Sequence, residues 1–287
     1  MLRAKLISHI KQKQSYLCVG LDTDIKKIPK HLQHLPDAVY QFNKAIIDAT
    51  KDHCVSYKIN TAFYEAQGLK GWEAMEQTLH YIPDTHFTIA DAKRGDIGNT
   101  SSMYAKTFFE TLPFDAITVA PYMGEDSIRP FLEYENKVTI VLGLTSNKGA
   151  NDFQKLVTDC DNNYPLMPDD LNNKTHKQLY AKVIETVAQW GSADNLMFVV
   201  GATQAADVAY IRSLIPQHFL LVPGVGFQGG SLSDISHAGL NSDCGLLVNA
   251  SRAIIYAGEG EDFAAEATFI AQEYQYEMSG YLKAINF

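Results

Sequence analysis

Eight short apolar segments recur along the 287-residue chain and alternate with longer amphipathic stretches. The apolar segments cover residues 16–21, 54–59, 86–90, 116–120, 138–144, 196–201, 219–223 and 245–249. Near-continuous apolar segments of this length are typical of parallel strands that are covered on both faces. Patterns typical of helices lie between them, over residues 38–49, 97–109, 177–190 and 263–278.

About eight strand–helix units in continuous order predict an α/β fold, a single (β/α)8 TIM barrel over residues 1–287. A doubly wound open sheet is the alternative. It would normally carry a glycine-rich dinucleotide turn after the first strand, and Gly20-Leu21-Asp22 is not one. Residues 146–175 are rich in Asn, Asp, Lys and Pro, and we interpret them as a long βα-loop insertion after strand 5.

Charge and composition narrow the classes of function. The formal net charge is −9 with no basic block, which disfavours nucleic acids and anionic membranes as partners. No apolar run has the length of a membrane span, and residues 1–14 lack the apolar segment of a secretory signal. The four cysteines lack C-x-x-C spacing and predict buried, reduced thiols in a cytoplasmic protein. The nine histidines form no H-E-x-x-H or similar cluster, so no metal site is predicted.

The ten residues 91–100, DAKRGDIGNT, form the most informative motif of the chain. Side chains two positions apart on a strand point the same way, so we expect Asp91 and Lys93 on one face. Asp96 follows where the chain leaves the strand. Carboxylates and an ammonium crowded at a strand end disfavour packing and suit proton chemistry. A salt-bridged strand end is the structural alternative, and Asp96 alone could cap a helix that begins at Ile97.

Polar residues also follow other strands, at the end of the barrel where such folds hold catalytic groups. Asp22 follows the first strand, Lys58 lies at the end of the second, and Ser146 follows the fifth. Each residue has an ordinary alternative when it is taken singly. Asp22 could cap a turn, Lys58 could be an exposed strand-end lysine, and Ser146 could make a turn hydrogen bond.

The glycine-rich residues 223–230, PGVGFQGG, predict an anion site. Glycines let backbone N–H groups approach an anion closely, and the loops after strands seven and eight are the usual phosphate site of a TIM barrel. Gln228 would add an amide donor, and Arg252, just past the eighth strand, would add a bidentate cation. The glycines alone could form a plain turn, but together with Arg252 they favour phosphate binding.

Taken together, these motifs resemble the orotidine 5'-monophosphate decarboxylase family over essentially the whole chain, with an insertion like that of its longer bacterial branch. The resemblance rests on GLD at 20–22, YK at 57–58, DAKRGDIGNT at 91–100, TSN at 145–147, PGVG at 223–226, QGG at 228–230 and SR at 251–252. It implies conversion of orotidine 5'-monophosphate (OMP) to UMP and carbon dioxide in pyrimidine biosynthesis, with neither metal nor organic cofactor.

The resemblance also implies roles for individual residues. Lys58, Asp91, Lys93 and Asp96 would form an array of alternating charge. Lys93 would protonate C6 of the pyrimidine as the carboxylate leaves. The substrate-binding residues would be Asp22 and Thr100 at the ribose, Ser146 at the pyrimidine edge, Ile97 at a pocket for carbon dioxide, and Gln228 with Arg252 at the phosphate. Asp96, Ile97 and Thr100 would come from a neighbouring subunit, so a homodimer with shared active sites is expected.

Two other functions stay open at this point. Magnesium-dependent sugar-phosphate decarboxylases and aldolases of the same superfamily share a D-x-K-x-x-D core, and an acidic residue near the end of their second strand helps to bind the metal. Lys58 occupies that region here, which favours the metal-free reaction. The other alternative is a non-catalytic phosphate-binding barrel, which has no need for so many charged groups.

Overall fold

The computed structural model describes residues 3–158, 177–201, 204–225 and 230–287. Within these ranges, eight parallel strands close into a barrel, each hydrogen-bonded to its neighbours in chain order and the last to the first. They are β1 (Leu17–Gly20), β2 (Ser56–Asn60), β3 (Phe87–Arg94), β4 (Ala116–Val119), β5 (Val138–Leu144), β6 (Leu196–Val200), β7 (Leu220–Pro223) and β8 (Leu246–Ala250). The predicted (β/α)8 TIM barrel is confirmed.

Helices connect the strands and cover the barrel. They are α1 (Arg3–Lys13), α2 (Ala38–Thr50), α3 (Thr61–Glu65), α4 (Leu69–Tyr81), α5 (Gly98–Lys106), α6 (Glu125–Leu132), α7 (Leu179–Val187), α8 (Ala205–Leu214), α9 (Leu232–Gly239), α10 (Arg252–Ile255) and α11 (Phe263–Ala284). Among the helices within the described ranges, none is long and apolar enough to cross a membrane.

The hydrophobic core lies inside the barrel and between the barrel and its helices. Strands β1, β6 and β8 are buried along their whole length, as expected for strands with a filled interior on one face and helices on the other. Phe42 and Ile46 on α2 and Phe131 on α6 are buried in this core. Each such side chain stabilises the fold by about 1.5–3 kcal/mol. Polar groups therefore collect where the strands end.

Three of the predicted helices have bounds that differ from the prediction by more than one residue. The pattern over 97–109 forms α5 only to Lys106, and a π-helical turn, Thr107–Thr111, follows. Helix α7 begins at Leu179 because Lys177–Gln178 pairs as a short antiparallel strand with Val157–Thr158. Helix α11 continues to Ala284, six residues beyond the predicted end at 278.

The predicted insertion at 146–175 is described only in part. It begins after β5 with a 3-10 helix, Lys148–Asp152, and its first residues lead into the two-residue strand Val157–Thr158. The rest of the predicted segment lies outside the described residues, as does Cys160. The other three cysteines, Cys18, Cys54 and Cys244, are buried free thiols, as predicted.

Candidate active site

A cavity of about 460 Å³ opens at the carboxyl ends of the barrel strands. Its apolar lining comes from inside the barrel and includes Leu142, Val199 and Leu221. Its polar lining includes the side chains predicted at the strand ends, namely Asp22, Lys58, Asp91, Lys93, Ser146 and Arg252. The fold therefore gathers residues that are more than 200 positions apart in sequence into one cavity, at the end of the barrel where this fold holds its active sites.

Lys58 is the most deeply buried charge of the cavity. Its ammonium lies 3.0 Å from Asp22 Oδ1 and 3.1 Å from Asp91 Oδ2, and only 4% of its side chain is exposed. Burial by itself lowers the pKa of Lys58, but the charges of Asp22 and Asp91 outweigh burial and raise that pKa above its ordinary value. Lys58 is therefore a fixed cation that joins two strand ends.

Asp91 connects Lys58 to Lys93. Its Oδ1 lies 2.5 Å from Lys93 Nζ and also accepts a hydrogen bond from the Thr118 hydroxyl at 3.0 Å. Burial raises the pKa of Asp91, but Lys58 and Lys93 outweigh it, so that pKa lies well below its usual range. Asp91 is consequently ionised at neutral pH, and the side chain of Lys93, which is 49% exposed, faces a permanent negative charge.

An irregularity in β3 places the Lys93 side chain. The pairing of β3 with β4 shifts register between Ala90 and Arg94, and Lys93 has a left-handed backbone with φ of +48°. Its backbone N–H donates to Thr118 Oγ1 at 2.9 Å, so Thr118 fixes both Lys93 and Asp91. Sequence reasoning did not identify Thr118. In the sequence, Thr118 is recognisable as a hydroxyl residue inside the apolar segment of the fourth strand.

Ser146 and Arg252 line other parts of the same cavity. Ser146 packs closely on Gly201, where an added Cβ would lie 2.8 Å from the Ser146 backbone nitrogen. A glycine at 201 thus lets the loop after β5 approach β6. Arg252 begins α10, directly after β8. Gln228, predicted to bind phosphate beside Arg252, lies outside the described residues.

Asp96, Ile97 and Thr100 are not among the residues that line this cavity. Asp96 Oδ1 accepts a hydrogen bond from the Ile97 backbone at 2.8 Å, and α5 begins at Gly98 with Ile97 as its N-cap residue. Ile97 is 56% exposed. The structure therefore separates these three residues from the other predicted site residues of their own chain.

Arg94, in the middle of the 91–100 motif, makes contacts that connect elements of the fold. It forms an ion pair with Glu65, and its guanidinium stacks 5.4 Å from the ring centroids of Tyr104 and Phe108. These contacts join β3 to α3 and α5 and hold the chain where it leaves the barrel.

This barrel, with alternating carboxylates and ammoniums and an arginine around one strand-end cavity, has the architecture of barrel enzymes that act on small anionic substrates. Residues 15–267 match the sequence model of the orotidine 5'-phosphate decarboxylase / HUMPS family, and the chain belongs to this family.

Individual relatives are similar over the full length of the chain. The orotidine 5'-phosphate decarboxylase of Bacteroides fragilis is 54% identical, with 99% of this chain and 100% of that protein covered. The protein of the same name from Flavobacterium johnsoniae is 55% identical over 97% of both chains. The solved structure of Leishmania donovani OMP decarboxylase is 34% identical with a TM-score of 0.75, covering 96% of this chain and 99% of that one.

Proposed function

We propose that this protein decarboxylates OMP to UMP and carbon dioxide in pyrimidine biosynthesis. The observation that carries the proposal is the ion-pair chain from Asp22 through Lys58 and Asp91 to Lys93, in a cavity that also holds Arg252. The names of relatives at 54% and 55% identity over nearly the whole chain support it.

Substrate binding follows from the distribution of charge around the cavity. Arg252 binds the 5'-phosphate, with Gln228 and the backbone of the loop after β7 as further donors. Asp22 accepts a hydrogen bond from the ribose, and Ser146 contacts the pyrimidine edge. These contacts hold C6 and its carboxylate against Lys93 and Asp91, so binding energy far from the reacting bond is used for orientation.

In the chemical step, the bond between C6 and the carboxylate breaks and its electron pair stays on C6. The Lys93 ammonium stabilises this carbanion and transfers a proton from Nζ to C6, and carbon dioxide leaves into the apolar part of the cavity. The resulting neutral amine regains a proton from solvent. Lys58 and Asp91 keep the ammonium and its counter-charge in place before the reaction, so little reorganisation is needed. Neither a metal nor an organic cofactor takes part.

An ultraviolet assay for the loss of OMP, with and without EDTA, tests the reaction. We expect turnover that survives exhaustive chelation. Loss of activity on chelation, with recovery on adding magnesium, would move the protein to the sugar-phosphate decarboxylases and aldolases of the superfamily. Binding of UMP without any turnover would identify a non-catalytic phosphate-binding barrel.

We further propose a homodimer in which Asp96, Ile97 and Thr100 complete the active site of the neighbouring subunit. Their absence from the lining of their own cavity supports this arrangement. Exposed apolar residues on α5, at its N-cap position and in the loop after β4 also support it, because Met103 is 54%, Ile97 56% and Tyr122 94% exposed. Such surfaces are typical of protein interfaces.

Complementation between two inactive variants tests this arrangement. Lys93→Ala and Asp96→Ala homodimers are expected to be inactive, but in a hybrid dimer one site carries both changes and the other carries neither. Refolding an equimolar mixture makes about half of the dimers hybrid, so roughly a quarter of wild-type activity should return under two-fold assembly. No recovery, with subunit exchange verified by mass, would place Asp96 in the site of its own chain.

We also propose that residues 1–287 form one domain and that the protein is cytoplasmic. Leu6 and Ile10 of α1 and Met278 and Leu282 of α11 are buried in the same core, which supports a single folding unit. The three buried thiols support a reducing compartment. Limited proteolysis and cell fractionation test these two proposals.

A further inference from the structure

Asn249 presents an unpaired amide oxygen at the candidate active site. It lies near the carboxyl end of β8, lines the cavity, and is 5% exposed. Its Oδ1 is buried and has no hydrogen-bond partner among the residues that the structure describes. Buried polar groups are nearly always paired, so an unpaired one beside a ligand cavity points to a partner supplied by the ligand.

The residues beside Asn249 leave open space around this oxygen. A Cβ added at Gly20 would lie 3.0 Å from Asn249 Oδ1 and 2.8 Å from the Cβ of Ser251. The Ser251 hydroxyl already donates to the Gly20 carbonyl at 2.9 Å. On the other side, the residue paired with Asn249 on β7 is Pro223, which has no backbone N–H to donate. The neighbours on both flanking strands therefore leave the amide oxygen to the cavity.

The position of Asn249 indicates which part of a nucleotide it faces. Its strand neighbour β1 leads to Asp22, which pairs with Lys58, and Arg252 follows three residues later in its own chain. It thus lies between the proposed ribose contact and the proposed phosphate contact. A phosphate dianion offers acceptors and no donors to a carbonyl oxygen, whereas ribose offers hydroxyl donors.

We propose that Asn249 is a further substrate-binding residue, whose side-chain oxygen accepts a hydrogen bond from a ribose hydroxyl of the bound nucleotide. This assignment rests on the proposed function. It gives the cavity a second acceptor for the sugar beside Asp22, and it assigns a use to a buried amide that otherwise only weakens the barrel.

Calorimetric binding of UMP, 2'-deoxy-UMP and 3'-deoxy-UMP to the wild type and to Asn249→Leu tests the assignment. Leucine is similar in size and removes the acceptor. We expect the variant to bind UMP about tenfold more weakly, which corresponds to about 1.4 kcal/mol. For the analogue that lacks the contacted hydroxyl, variant and wild type should bind equally, as in a double-mutant cycle. Unchanged UMP binding, or equal losses for all three ligands, would overturn the proposal.

Thr139→Val is the matched control. Thr139 lies on β5, is 1% exposed and does not line the cavity, and its Oγ1 has no hydrogen-bond partner in the described part of the chain. Both substitutions remove an unpaired buried polar group, so the Tm of each variant should equal or exceed that of the wild type. Only Asn249→Leu should change UMP affinity. An Asn249→Leu protein that fails to fold beside a folded Thr139→Val protein would mean that the protein itself uses the amide, and the proposal would fail.

UMP binding by the wild type distinguishes a failure of this proposal from a failure of the proposed function. If the wild type does not bind UMP, the proposed function fails. If the wild type binds UMP and Asn249→Leu binds it equally well, only the role of Asn249 fails.

Discussion

Lys58→Met should destabilise the fold strongly, because the ammonium neutralises two carboxylates in a buried position. Its distances to Asp22 and Asp91 are 3.0 and 3.1 Å. At such distances each pair gains about 5 kcal/mol with an effective dielectric constant of about 20. Desolvation of the ammonium offsets several kcal/mol of that gain. Removing Lys58 takes the ion pair from Asp22 and leaves Asp91 with Lys93 alone, so we expect a loss of about 3–5 kcal/mol in the free energy of unfolding at pH 7.

The loss should depend on pH in a defined direction. In the wild type the pKa of Asp91 is lower in the folded state than in the unfolded state. Its stabilising contribution is therefore complete above the unfolded pKa of about 3.9 and disappears as pH falls towards the folded pKa. Without Lys58, Lys93 alone opposes the effect of burial, so the folded pKa of Asp91 lies closer to its ordinary value and much of this contribution is lost. The difference between wild type and variant should consequently shrink below about pH 5.

Urea unfolding of both proteins between pH 7 and pH 3.5 measures this difference. Lys155→Met is the control, because Lys155 pairs with Asp207 at 3.0 Å but its side chain is 27% exposed. The Lys155–Asp207 pair is partly solvated, so we expect that control to lose clearly less than Lys58→Met. A loss for Lys58→Met as small as that of the control, or a loss that does not change with pH, would refute the account of Lys58 as the charge that stabilises the site.

Three further predictions concern catalysis and acid stability. Lys93→Ala should lower kcat by about 10⁴-fold or more while UMP still binds and the fold stays intact; substantial residual decarboxylation would show that another group is the acid. Arg252→Ala should lower kcat/KM for OMP by about 10²- to 10³-fold and for the bare nucleoside far less, and equal effects would remove Arg252 from the phosphate site. Burial lowers the pKa of both His86 and His218 to about 4. The unfolded state binds these protons at higher pH than the folded state does. The free energy of unfolding should therefore fall as pH is lowered from about 6.5 to about 4, by about 1.4 kcal/mol per pH unit for each histidine. His218→Phe should reduce that slope by the share of one histidine, about 1.4 kcal/mol per pH unit, and an unchanged slope would contradict this origin.

The barrel could be predicted because its strands are continuous apolar segments. The bounds of β5 coincide with the predicted segment, since all seven residues from Val138 to Leu144 suit a doubly covered strand. Strand β3 was predicted too short because Asp91, Lys93 and Arg94 are polar, yet pairing with β2 and β4 keeps them in the sheet. Tertiary hydrogen bonding outweighed the local pattern there.

The grouping of Asp22, Lys58, Asp91 and Lys93 could be expected once strand order was assumed, because carboxyl ends of parallel strands lie together. The distances between these side chains could not be predicted, because they depend on strand register, such as the pairing of Gly20 with Lys58. The contacts of Thr118 could likewise not be predicted from the sequence, because they arise from the backbone irregularity at Lys93. The π-helical turn after α5 has no signature in the apolar pattern, which continues through it.

The backbone conformation of Lys93 costs stability at a position where the side chain is proposed to act in catalysis. A left-handed φ of +48° costs a lysine about 1–2 kcal/mol, whereas glycine and, to a lesser extent, asparagine adopt it with little strain. A glycine at this position would relieve that strain but would also remove the ion pair with the buried Asp91, so the net gain in stability would be smaller than the strain. On the proposed function, we expect selection for turnover to keep a lysine in a conformation that suits glycine.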